Sequence, residues 1–310
     1  MIKTLEQKLE LIKDVKKFCE EELGVIKNNS YTKINESVYS RKKSTKTNYN
    51  LCVSPKNSIE PLLYTTNLPE ILEQVGIGGF ELKDNGILKY SSLSDCILAA
   101  ESLSKLNLDV FIREIKSYAQ GWGKNAGNTT QITKELLKYS KISLIHTMLH
   151  ENFHIHLKKN KVEMNKDIEE KCADKFADDS VRIYYRNNLK KLIEIQESEK
   201  YIDNFHNWLE TSVNTLKKAY SKNNNGRRML YYVRQKYNFD MDFEIKHNRY
   251  TIPFEKKNIN NAFFQALAIY AVDRDQVREV LENKDPRNYL KKITSKKQID
   301  TIDELRTIVK

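Results

Sequence analysis

The spacing of apolar positions changes along the chain, and that change divides it. Residues 1–24 alternate apolar side chains with Lys and Glu in the manner of an amphipathic helix, and Gly24, after ELG, is placed to end it. The polar run RKKSTKT (41–47) predicts a loop, and Pro55, Pro61 and Pro69 predict irregular or extended chain over the next thirty residues. A short strand is expected at Gly86–Tyr90. Ser94 can cap a helix that carries Cys96, Ala99, Ala100 and Leu103 at i, i+3, i+4 and i+7. Val110, Phe111, Ile112 and Ile115 predict a strand over Asp109–Ile115. GWGKNAGN (121–128) reads as a turn-rich connector and Thr129–Thr133 as an edge strand.

From Ser140 onward the period is helical. One helix is expected from about Ile142 to Lys158 and a second from about Asp167 to Leu192. Leu209, Val213, Leu216 and Tyr220 mark a third stripe, which NNNG (223–226) ends, and Phe263, Ala266, Leu267 and Tyr270 mark a fourth. There is no internal repeat. The expected class is α+β: a mixed N-terminal half packed on a largely helical C-terminal half.

Composition narrows the possibilities. A chain of 310 residues with 39% apolar and 10% aromatic side chains has the material for a real core and is not a disordered tail. No run approaches 18 apolar residues, so no spanning helix is expected. The opening residues lack an apolar h-region and a small-residue cleavage site, and the four cysteines (Cys19, Cys52, Cys96, Cys172) are scattered without a C-x-x-C pair. Both features fit a cytoplasmic, reducing location. Lys plus Arg exceeds Asp plus Glu by 53 − 42 = 11. In the linear sequence the basic residues form no single stripe with interleaved aromatics, so they read as solvated side chains and no nucleic-acid partner is expected.

The chemistry lies in LIHTMLHENFHIH. His150-Glu151-Asn152-Phe153-His154 is an H-E-x-x-H motif on a predicted helix, and the i, i+4 spacing sets both imidazoles on one face, able to share one Zn²⁺. Glu151 projects beside them, where it can take a proton from water. With 6 His in the chain, the pattern arises by accident in roughly one such sequence in a hundred. A catalytic zinc needs a third protein ligand, and Glu170, in an E-x-x-A-D stretch opening the next helix, supplies a carboxylate. Asp174, four residues on, can accept the outer N–H of a ligating His, and small Ala173 lets the helices approach. Two alternatives stand beside this. Asp167 as N-cap with Glu170 at N3 would make a purely structural capping box, and a rotated helix would present Glu169 as the ligand. His146 shares the stripe but reads as packed or solvated. His156 points to another side, His206 and His247 have no ligand spacing, and Cys172 reads as core. No phosphate-binding glycine loop or G-x-S-x-G elbow competes, and Arg227-Arg228 reads as a solvated loop end.

Beyond the motif, KFCEEELG followed by SYTK, then NLCVSP, LNLDVFIREIKSYAQGW and INNAFFQALAIY, together with the metal helices, resemble the bacterial zinc aminopeptidase family, which has the gluzincin pattern H-E-x-x-H followed by N-E-x-x-A. The likeness spans roughly residues 8–295. The expected organisation is a zincin-like catalytic region over residues 1–195 with a helical region, 196–310, packed against it. The likeness implies zinc ligands His150, His154 and Glu170, the catalytic residue Glu151, a peptide substrate, and a cell-envelope location as the alternative to the cytoplasm. The family's Asn before the third ligand is Glu169 here, and the turn after Gly121-Trp122 lacks the family's Asp-Pro. The expected function is a zinc-dependent metallopeptidase, an aminopeptidase by the resemblance. Strand addition of the peptide along Thr129–Thr133 and Tyr118 as an oxyanion donor complete the expectation. The rival classes are a catalytically silent zinc-holding binding protein and a basic nucleic-acid or membrane-surface protein.

Overall fold

A computed structural model describes residues 5–29, 48–59, 68–82, 87–115, 140–222, 226–237, 259–271 and 273–310. The expectations for residues 41–47, Tyr118, the connector 121–128, Thr129–Thr133 and His247 lie outside them.

Four strands form an antiparallel sheet: β1 (Asn48–Pro55), β2 (Phe80–Leu82), β3 (Leu88–Tyr90) and β4 (Leu108–Ile115), in the order β2-β3-β1-β4. Pro55, which has no N–H for the ladder, stands at the very end of β1 opposite Leu108. The period of two sorts the side chains of β1 and β4 onto two faces. Leu51 and Val53 pack with Leu88, Tyr90 and the buried stripe of helix α3 (Leu93–Lys105), namely Cys96, Ala99, Ala100 and Leu103. Cys52 and Phe111 face the other way, against helix α8 (Asn261–Ala271), where the Phe111 and Phe263 rings meet edge-on at 5.3 Å. Asn260 and Asn261 fix that second layer. Asn260 Nδ2 donates to the Val110 carbonyl at 2.8 Å and Asn261 Nδ2 to that of Pro55 at 3.1 Å.

The larger core is helical. Helices α1 (Leu5–Glu21), α4 (Lys141–Lys159), α5 (Lys166–Tyr184), α9 (Arg274–Leu281), α10 (Pro286–Thr294) and α11 (Ile302–Val309) enclose fully buried side chains such as Ile12, Met148, Phe153, Phe176 and Tyr289. The short parallel pair β5 (Glu163–Met164) and β6 (Gln298–Ile299) ties the α4–α5 connection to the C-terminal helices. Helix α6 (Leu189–Ser221) runs through residues 195–196 and joins the cores, placing Ile195 in the helical one and Leu209, Val213 and Leu216 in that below the sheet. Helix α7 (Gly226–Gln235) folds back on α6. The fold is therefore α+β and mostly helical, with eleven helices among the described residues, of which α2 (Leu68–Gln74) is the shortest. None of these helices is long and apolar enough to cross a membrane.

Several boundaries differ from expectation. Pro69 sits in the first turn of α2, where its missing N–H costs nothing, rather than in extended chain. Ser92, not Ser94, caps α3 and accepts the Asp95 N–H at 3.3 Å. The helix expected to reach Leu192 stops at Tyr184, and Asn188 caps a new one by accepting the Lys191 N–H at 3.1 Å. Gly24 follows α1 with φ +70°, as a C′ glycine should.

Candidate metal centre

Helix α4 carries the H-E-x-x-H motif in a setting its neighbours determine. Ser140 caps it, accepting the Ser143 N–H at 3.2 Å. One side, with Ile145, Met148, Leu149 and Phe153, is sealed in the core. Another is sewn to the chain after α1. There the Ile26 N–H donates to His156 Nδ1 at 2.8 Å, and Asn28 Nδ2 donates to Asn152 Oδ1 at 3.2 Å. His156 is thus a structural acceptor, as its position implied, and burial lowers its pKa to about 4. These contacts leave the His150–His154 face turned toward α5.

Helix α5 returns antiparallel. Asn165 caps it by accepting the Asp167 N–H at 3.0 Å, so Asp167 is not the N-cap and the carboxylate of Glu170 is not needed by the helix end. Three rungs join the helices. His154 Nε2 lies 3.8 Å and His150 Nε2 3.5 Å from Glu170 Oε2, His150 Nδ1 lies 2.8 Å from Asp174 Oδ1, and His146 Nε2 lies 3.1 Å from Asp178 Oδ1. Ala173, fully buried between the rungs, permits the approach. The two His Nε2 atoms stand 3.0 Å apart. Three ligand atoms therefore converge, and His150, His154 and Glu170 are the one such group among the described residues able to hold a metal ion.

The outer nitrogens are committed. His150 Nδ1 faces Asp174 Oδ1, and His154 Nδ1 faces Glu169 Oε1 at 2.6 Å, so a neutral ring with its proton on Nδ1 would turn the Nε2 lone pair toward the gap. Glu169 thus stands against the outer nitrogen of His154 rather than in the gap between the imidazoles. The sequence reading missed this role, although a ligating His ordinarily has an acceptor on its other nitrogen, and applying that rule to His154 would have pointed to a second carboxylate. His146 is buried, in keeping with its reading as a packed side chain, and its partner Asp178 also receives Arg278 Nη2 from α9 at 2.8 Å.

The site's electrostatics follow from crowding. Burial alone would lower the His150 pKa, but hydrogen bonds to Asp174 and Glu170 and the neighbouring negative charge carry it well above the usual imidazole value. Burial acts upward on Glu170 and Asp174, yet the His150 hydrogen bond and the nearby imidazoles hold both below the usual carboxylate range. Glu151 goes the other way. Burial raises its pKa, the two imidazoles only partly oppose this, and Glu170 adds to the rise. Cys172 is fully buried and its thiol is pushed above its usual pKa by burial, which fits its reading as core. His206, read as ordinary, is more than that. Its Nδ1 is a buried atom with no hydrogen-bond partner, and its ring feels both Asp174 and the Arg274 guanidinium.

A family model described as "Putative aminopeptidase" matches residues 87–307, which include the whole of this centre. The chain belongs to that family. No curated protein and no solved structure matches it.

Proposed function

We propose that the protein is a zinc-dependent metallopeptidase with a zincin-like core, acting as an aminopeptidase, in which one Zn²⁺ is held by His150, His154 and Glu170. Family membership supports a peptidase-like function. The single observation that carries the metal is the triangle of ligand atoms, with edges of 3.0, 3.5 and 3.8 Å. Ligands about 2.0–2.1 Å from a tetrahedral ion stand about 3.3–3.5 Å from one another, close to the mean of those edges. Two imidazoles and one carboxylate are also a donor set that zinc accepts, leaving a fourth position open. In this reading residues 1–195 form the catalytic region and 196–310 the helical region packed on it.

Such an ion, when bound, supplies Lewis acidity that polarises a scissile carbonyl and lowers the pKa of water toward ~7. The remaining work falls to the chain. A Glu151 carboxylate oxygen takes the proton from the attacking water and passes it to the departing amine. Asp174 and Glu169 hold the imidazoles in the tautomer that aims Nε2 inward. The core residues behind α4 keep that helix from turning away.

Glu151→Gln is expected to abolish hydrolysis of fluorogenic peptides while leaving zinc content intact. Chelation should remove activity, and zinc should restore it. Peptides with a free amino terminus should be cleaved in preference to N-blocked ones. Undiminished turnover by the Gln variant would eliminate the mechanism. Zinc binding without turnover of either peptide set would leave the silent binding protein.

A further inference from the structure

The segment 211–239 holds seven Lys and Arg residues and no Asp or Glu, in a chain whose net charge is +11. Its described residues lie in the last part of α6, in α7 and just after it, and folding sorts their side chains. Val233 and Tyr237 turn inward, the Trp208 indole N–H donates to the Val233 carbonyl at 3.3 Å, and Arg234 Nε donates to the Ile259 carbonyl at 2.9 Å. Those contacts fix the rotation of α7. The outward side of α7 and of the residue after it then carries Arg227, Arg228, Tyr231, Tyr232 and Lys236, all exposed, with the two tyrosines 62% and 51% accessible. Lys217, Lys218 and Lys222, at the end of α6, are exposed at the same hairpin tip. In the linear sequence RRMLYYVRQK (227–236) the two tyrosines already stand among the cations, and the helix turns both to its outward side.

From this arrangement we propose that the α6–α7 hairpin docks the protein on an anionic phospholipid surface. Each exposed Lys or Arg gains from the negative potential of such a surface; residues 211–239 hold no carboxylate, and the Asp109 carboxylate of β4 offsets part of the charge of Arg227. Tyrosine is suited to the headgroup level, where its ring is covered and its hydroxyl stays wet. The shape favours lipid over single-stranded nucleic acid. Tyr231 and Tyr232 are consecutive on a helix and diverge by about 100°, so they cannot stack successive bases, whereas each can enter a flat interface independently. Lys236 Nζ, 4.4 Å above the Tyr232 ring, adds a cation next to the ring that would enter.

The test is co-sedimentation of the full chain with vesicles of phosphatidylcholine alone or with about 30 mol% phosphatidylserine. Binding is expected only to the anionic vesicles and should vanish near ~0.5 M NaCl. Arg227→Glu with Arg228→Glu should weaken it by at least roughly tenfold, and Tyr231→Ala with Tyr232→Ala by several-fold, with unchanged thermal unfolding. Lys296→Glu with Lys297→Glu imposes the same charge change on exposed residues elsewhere and should leave binding largely intact. Equal binding to neutral vesicles, an equal loss in the Lys296/Lys297 variant, or hairpin-dependent binding of single-stranded RNA in preference to vesicles would overturn the proposal.

Discussion

Replacing Asp174 by Asn and Glu169 by Gln separates the two outer-nitrogen contacts of the candidate centre. Both substitutions keep an oxygen where the imidazole N–H donates, at 2.8 Å for His150 and 2.6 Å for His154. What is lost is the negative charge that strengthens the bond and makes Nε2 a better donor to a cation. Partners of this kind contribute about 10–100-fold in metal affinity, or about 1.4–2.7 kcal/mol. Each contact serves a different imidazole, so the losses should roughly multiply to about 10²–10⁴-fold in the double variant. Zinc affinity measured by competition with a chromophoric chelator gives the answer directly. Thermal unfolding in excess chelator controls for damage to the fold. The reasoning is refuted if Glu169→Gln binds zinc as tightly as the native chain, because the shortest contact to the centre would then have no bearing on the ion.

Two further predictions concern stability. A Cβ at Gly226 would lie 1.9 Å from the Tyr220 ring, and that ring is tethered by its hydroxyl, which donates to Asn261 Oδ1 at 2.8 Å. Gly226→Ala should therefore destabilise by about 1–3 kcal/mol in urea unfolding despite the better helix propensity of Ala, and Tyr220→Ala should relieve the clash. An Ala variant as stable as the native chain would contradict this packing. The second prediction concerns pH. Burial, helped by Arg274, lowers the His206 pKa to about 4, whereas the unfolded chain titrates near the ordinary 6.5. Between those values the unfolded state binds a proton that the native state refuses, so this group makes stability fall as pH drops from about 6.5 to about 4, by as much as about 3 kcal/mol. Unfolding curves across that range should show a shallower fall for His206→Gln, and parallel curves would remove His206 as the source.

How legible this was from sequence depended on which interactions decided each feature. The i, i+4 spacing of His150 and His154 and the placement of Glu170 and Asp174 were visible because helix periodicity alone fixes them. The break at residues 185–188 was not, because Val181, Tyr185, Leu189 and Leu192 keep a helical spacing straight through it. The cue was Asn188, whose side chain could cap a new helix. Caps were misplaced by two residues where two candidates compete, as with Ser92 and Ser94, whose hydroxyls are 2.7 Å apart. The roles of Glu169, His156 and Asn152 depend on which neighbour each side chain reaches, at separations of 15, 130 and 124 residues. Only tertiary structure supplies that. The cationic face of α7 was legible in RRMLYYVRQK, which already interleaves two tyrosines with basic residues, and reading Arg227-Arg228 as a loop end passed over it; the structure adds only that Val233 and Arg234 take the inward side.

The row of side chains that α5 turns toward the histidines continues beyond its acidic part. At four-residue steps it reads Lys166, Glu170, Asp174, Asp178, Arg182. If α5 slid by one turn along α4 in one direction, His146 would come opposite Arg182; in the other, His154 would come opposite Lys166. Either displacement sets a cation against an imidazole and forfeits a rung, so the two end residues act as stops for an otherwise repetitive pairing. The same three steps that let the helices recognise each other would have allowed them to mispair, and the basic residues at either end make the productive alignment the favoured one.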